Sequence, residues 1–109
     1  MFVKLIKAAA IILVFLGTSN PVIAEDLLEN ADLAYGEYLA GECVTCHSAS
    51  GADQGIPSII GLDAEGLAYM MHSYRNKEMD KKVMQLVAGR LDDEQIASLA
   101  VYFAALPAK

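Results

Sequence analysis

With 109 residues, 55% of them hydrophobic and 20% charged, the chain has room for one small domain, and its formal net charge of −6 argues against partnership with nucleic acid or an anionic membrane surface. Cys43, Cys46, His47 and His72 are its only cysteines and histidines, a poor supply for a zinc ribbon. The two cysteines also stand too close together to close a useful long-loop disulfide.

The chain starts with Lys4 and Lys7, continues through an apolar run from Ala8 to Gly17, and reaches small residues at Val22-Ile23-Ala24. That is the layout of a secretory signal, so residues 1–24 are expected to be cleaved after Ala24 and residues 25–109 to form the mature domain. The run is well short of the roughly 20 residues that an uncleaved anchor needs, and Asn20-Pro21 interrupts any extension. The mature protein is therefore expected in the periplasm without stable membrane insertion. A domain this small commonly needs a disulfide, a metal or a cofactor as a staple.

From Asn30 to Cys43, Gly36, Leu39, Ala40 and Cys43 follow the i, i+3, i+4, i+7 spacing of an amphipathic helix, with Asn30 as its expected cap. This helix runs into Cys43-Val44-Thr45-Cys46-His47. A Cys-x-x-Cys-His run is the attachment signature of a c-type haem. Residues three apart lie on one face of a helical turn, so the two thiols can each add to one vinyl group of the same porphyrin. His47, the next residue, is then carried under the ring as the proximal iron ligand. Cys-x-x-Cys also serves thioredoxin-like sites and half of a zinc site. No strand-rich βαβ pattern surrounds it here, and export removes the reducing surroundings of a free dithiol.

From Ser48 to Leu62 the chain is rich in Ser, Gly and Pro, and a loop wrapping one side of the cofactor is expected. Asp63 then caps a second helix with Leu67, Met70, Met71 and Tyr74 on its apolar face, running toward Asn76. Residues 77–82 read as a flexible charged loop, followed by a short helical turn from Val83 to Ala88 that Gly89 closes. Asp92, with Gln95 three residues later, forms a capping box for a last helix striped by Ile96, Leu99, Ala100 and Phe103 and stopped by Pro107. No strand is expected, and the fold class is all-α.

These residues resemble a class I cytochrome c. They are closest to the small periplasmic group that includes single domains of cytochromes c4, c553-type carriers and the cytochrome subunit of flavocytochrome c sulfide dehydrogenases. The resemblance covers nearly all of residues 25–109 and rests on Gly36, the Cys43 to His47 run, the Gly55-Ile56-Pro57 turn, Tyr74-Arg75, Met84 and the segment from Leu91 to Phe103. It implies a small helical bundle around one covalently bound haem c. In that bundle the first and last helices cross at Gly36 against Tyr102 and Phe103, and the Pro57 carbonyl accepts a bond from the second imidazole nitrogen of His47. The chain departs from the broad pattern at Ser48 and in having no tryptophan.

For the distal iron ligand the resemblance points to Met84, with Met79 as second choice. Met70 and Met71 read as core, and His72, about 140° round its helix from the apolar stripe, as solvent-exposed. Tyr74 is a candidate for a propionate hydrogen bond. Lys77, Lys81 and Lys82, with Arg75, form a basic cluster beside the Met84 side. Histidine and methionine together would close both axial positions, so the expected function is single-electron transfer between redox proteins, without catalysis. The alternative is the haem subunit of a flavocytochrome c sulfide dehydrogenase, fed by a flavoprotein. A ligand-binding or peroxidatic haem protein is a third reading.

Overall fold

The computed structural model describes residues 17, 26–48, 51 and 54–108. The expected leader and its cleavage point after Ala24 lie, Gly17 aside, outside those residues. Among the described residues the protein is all-α, with α1 Leu33–Leu39, α2 Gly41–Cys46, α3 Ala64–Arg75, α4 Lys82–Gly89 and α5 Asp93–Ala105. None of these helices is long and apolar enough to cross a membrane.

Local chemistry explains most of the boundaries. The Asp63 carboxylate accepts from the Gly66 N–H at 2.9 Å and opens α3. Asp92 and Gln95 close a reciprocal capping box, at 2.8 and 3.0 Å, that opens α5. Leu106 leaves α5 in an extended conformation because it precedes Pro107.

The start of α1 differs from expectation. Asn30 sits at φ 60, a left-handed conformation that an asparagine tolerates but that cannot lead into a helix. Asp32 takes the cap instead. Its backbone is extended, its carboxylate accepts from the Tyr35 N–H at 2.9 Å, and its own N–H donates to Ser98 Oγ at 3.0 Å. The expected single helix is also divided at Ala40 into α1 and α2. In α4, Gly89 is the last helical residue rather than a left-handed terminator, and Arg90 provides the cap.

α1 crosses α5 where Gly36 is buried. A Cβ at that position would collide with the Ser98 carbonyl and stand 2.8 Å from Tyr102 Cβ, so only glycine permits the approach. The crossing therefore rests on Ser98 and Tyr102. Phe103 is buried in the core instead, its ring edge-on to Tyr102 at 5.3 Å. That core joins Ala40, Leu67, Ala68, Met71, Ala88, Ile96, Leu99, Ala100 and Phe103. Much of it is alanine, and the largest fully buried side chains are Phe103, Ile96 and Ser98. So small a protein interior provides limited hydrophobic stabilisation, which favours a staple from outside the polypeptide.

Candidate functional site

α2 presents the Cys-x-x-Cys-His residues on a little more than one helical turn. Cys43 is half-buried and packs against the core, whereas Cys46 is exposed, and both are free thiols. Burial, reinforced by neighbouring Glu42, pushes the Cys43 thiol above its ordinary pKa. The attacking thiol of a redox dithiol needs the opposite, a thiolate stabilised at neutral pH, so Cys43 is badly tuned for thioredoxin-like exchange. Among the described residues no group of three or more His, Cys, Asp or Glu side chains is arranged to hold a metal ion.

His47 ends α2, its N–H bonded to the Cys43 carbonyl at 2.8 Å. Its Nδ1 donates to the Pro57 carbonyl at 2.7 Å. With the proton on Nδ1, the Nε2 lone pair is available as a ligand and the ring orientation is held. The loop that delivers Pro57 turns at Gly55, φ 76, and is anchored by Ile56 N–H on the Gly51 carbonyl at 2.9 Å. Further on, the Gly61 N–H donates to the Phe103 carbonyl at 2.9 Å, tying the loop to α5.

The remaining predicted residues divide into two groups. Met84, in the first turn of α4, is half-buried and packs against the core, as do Met70 and Tyr74. Met79 is half-buried without belonging to that cluster. Its loop is not the flexible segment expected: the N–H groups of Glu78 and Met79 both donate to the Ser73 carbonyl, at 2.8 and 3.3 Å, and Gln85 Nε2 donates to the Met79 carbonyl at 2.9 Å. Sequence reasoning passed over Gln85, because a polar residue on a short helix has no local mark of such a role.

Arg75 and His72 also depart from expectation. Arg75 turns away from the lysines, with Nη2 at 2.6 Å from the Asp93 carboxylate and Nη1 donating to the Leu91 carbonyl at 3.2 Å. His72 is half-buried rather than solvent-exposed, and its Nδ1 accepts from Arg75 Nη2 at 2.8 Å. Arg75 is thus engaged by Asp93, Leu91 and His72, and Lys77, Lys81 and Lys82 of the expected basic cluster are exposed. Hydrogen bonding from Arg75 is the main reason the Asp93 carboxyl lies below its ordinary pKa.

The donor set fits a c-type haem. Two free thiols stand three residues apart on one helical turn, and the following imidazole has one nitrogen committed and the other available. Ile59, Ile60, Leu62, Met70 and Met84 are half-buried apolar side chains packed against the core.

No family model matches the chain. It is similar to the thiosulfate dehydrogenase electron acceptor of Stutzerimonas stutzeri (strain A1501), with 32% identity over 69 residues, covering 61% of this chain and 32% of that protein. The chain thus spans about a third of the length of the curated relative it matches.

Proposed function

We propose that the protein is a periplasmic single-electron carrier, with one haem c bound through thioethers to Cys43 and Cys46 and ligated by His47 and Met84. The observation that carries this reading is the 2.7 Å bond from His47 Nδ1 to the Pro57 carbonyl, directly after a helical Cys-x-x-Cys turn. Bound there, the haem supplies a one-electron iron couple. The polypeptide's part is to hold it. Pro57 fixes the imidazole and makes Nε2 the more basic nitrogen, while Met84 offers a neutral thioether from a helix packed on α3. A haem iron held by both His47 and Met84 would leave substrate no iron site to enter.

The relative's name supports an acceptor of electrons from a dehydrogenase, and a dehydrogenase acting on an inorganic sulfur compound is the donor class that follows from it.

The test is the intact product from a host equipped for cytochrome maturation. We expect a mass greater than the polypeptide by one haem, a Soret band, and slow carbon monoxide binding to the reduced protein. Met84→Ala should abolish the weak red-edge absorption of methionine-ligated ferric haem, and Met79→Ala should keep it. The reverse pattern moves the ligand to Met79. A bare-polypeptide mass ends the haem reading.

A further inference from the structure

α4 has two apolar faces and a structural partner for one of them. Met84 and Ala88 face inward, toward the core and α3. Val83, Leu86, Val87 and Arg90 recur at i, i+3, i+4 and i+7 and so share a second stripe, centred about 130° round the helix from Met84 and Ala88. Val83 is 69% exposed and Leu86 72% exposed, values more typical of charged side chains. A groove of about 490 Å³ continues this face, running from Val87, Arg90 and Leu91 across to Tyr38, Leu39 and Glu42. Tyr38 on the far bank is 82% exposed. Glu42 and Arg90 approach to 4.0 Å across the opening.

The run from Lys81 to Arg90 carries only positive charge in an otherwise acidic chain, with Asp80 just before it and Glu42 facing Arg90 across the groove. Lys81 and Lys82 stand at the N-terminal end of α4 and Arg90 at its C-terminal end, with no acidic residue between them. α4 also lacks a side-chain cap, so the two lysines add positive charge to the end of the helix dipole that is already positive. The arrangement costs the isolated protein stability and is relieved by negative charge from outside. An exposed apolar strip framed by cations in an otherwise acidic chain is complementary to an apolar patch rimmed by carboxylates.

We propose that the outer face of α4, with the groove it forms against Tyr38 and Leu39, docks a redox protein through an acidic, apolar-centred surface. That the partner is a redox protein rests on the electron-carrier reading. The face itself rests on exposure and charge. Docking there places the partner against the helix that carries Met84 on its inward face. A small, transient interface of this kind suits repeated encounter and release.

Oxidised flavodoxin, an acidic electron-transfer protein, is the probe, titrated at low salt into the isotopically labelled full chain as matured, with backbone amide shifts as readout. Shifts should concentrate at residues 82–90, Tyr38 and Glu42, and fade as salt is raised. Val83→Ser with Leu86→Ser should weaken binding at least about tenfold, and so, separately, should Lys82→Glu with Arg90→Glu. These positions are exposed, so both pairs are expected to fold. Shifts elsewhere, none at all, or wild-type affinity in both pairs overturn the proposal. Concentration-dependent shifts of the same amides without flavodoxin assign the face to a second copy and overturn it equally. The Soret band reads the other question: a sample with the α4 shifts and no Soret band keeps this surface and removes the haem, and the converse sample does the reverse.

Discussion

α4 and α5 are consecutive helices built to different standards. α5 begins with a complete capping box, carries Asp93 and Glu94 at its positive end, and buries Ile96, Ala97, Ser98, Leu99, Ala100 and Phe103. α4 has no side-chain cap, carries lysine at its start, and buries Ala88 alone. The contrast extends to their neighbours. α1 lies against α5 with a glycine at the closest approach, whereas α2 exposes Val44 and Cys46. One half of the molecule is thus a frame whose residues satisfy one another, and the other is an edge whose residues await something external.

The largest expected effect comes from removing what the edge lacks. On the proposed haem reading, replacing both Cys43 and Cys46 by Ala should prevent accumulation of folded protein, because the tether and much of the effective core would be lost together. Stable helical protein from that variant, read by circular dichroism and a cooperative urea transition, would show that the frame suffices alone. Next is the frame itself. Gly36→Val should cost about 3 kcal/mol in urea unfolding, since the added atoms meet the Ser98 backbone, which cannot rotate away. A near-neutral result would mean that α1 and α5 can separate cheaply.

Asp92→Ala should cost about 1 kcal/mol by loss of the α5 cap. A substitution at Lys81, which provides α4 with no side-chain cap bond, should cost much less, and urea midpoints compare the two directly. The smallest effect is electrostatic. Because Arg75 lowers the Asp93 pKa in the folded protein, the pair's stabilisation is present above the unfolded aspartate value of about 3.9 and is lost as pH falls through the lower folded value. Asp93→Asn should therefore lower the urea midpoint slightly at pH 7, leave it unchanged at the acid end, and make the acid limb shallower. Asp93 is exposed, so solvent screening keeps the shift small. An unaltered acid limb would remove the ion pair from the frame.

The difference between frame and edge also explains what could be read in advance. Asp63, Asp92 and Pro107 act within a turn or so of their own positions, and each was legible as a cap or stop. The stripe Ile96, Leu99, Ala100, Phe103 was legible because a 3.6-residue period needs no knowledge of the partner. Asn30 was expected as the cap by residue type alone. Ser98, 66 residues away, accepts the Asp32 N–H and favours Asp32 in that place. Arg75 belonged to the basic cluster until Asp93 and the Leu91 carbonyl came within reach in the fold. Met79 sat in an apparently free loop until the Ser73 carbonyl and Gln85 held it.

By itself the amino-acid order determined the helical class, the caps of α3 and α5, and the Cys-x-x-Cys-His turn, since all depend on atoms within a few residues of each other. Tertiary structure alone decided which nitrogen of His47 is committed, which residue starts α1, where Arg75 points, and that one face of α4 stays uncovered. Those outcomes depend on partners ten to 66 residues distant, or on the lack of one, and such distances close only when the chain has folded.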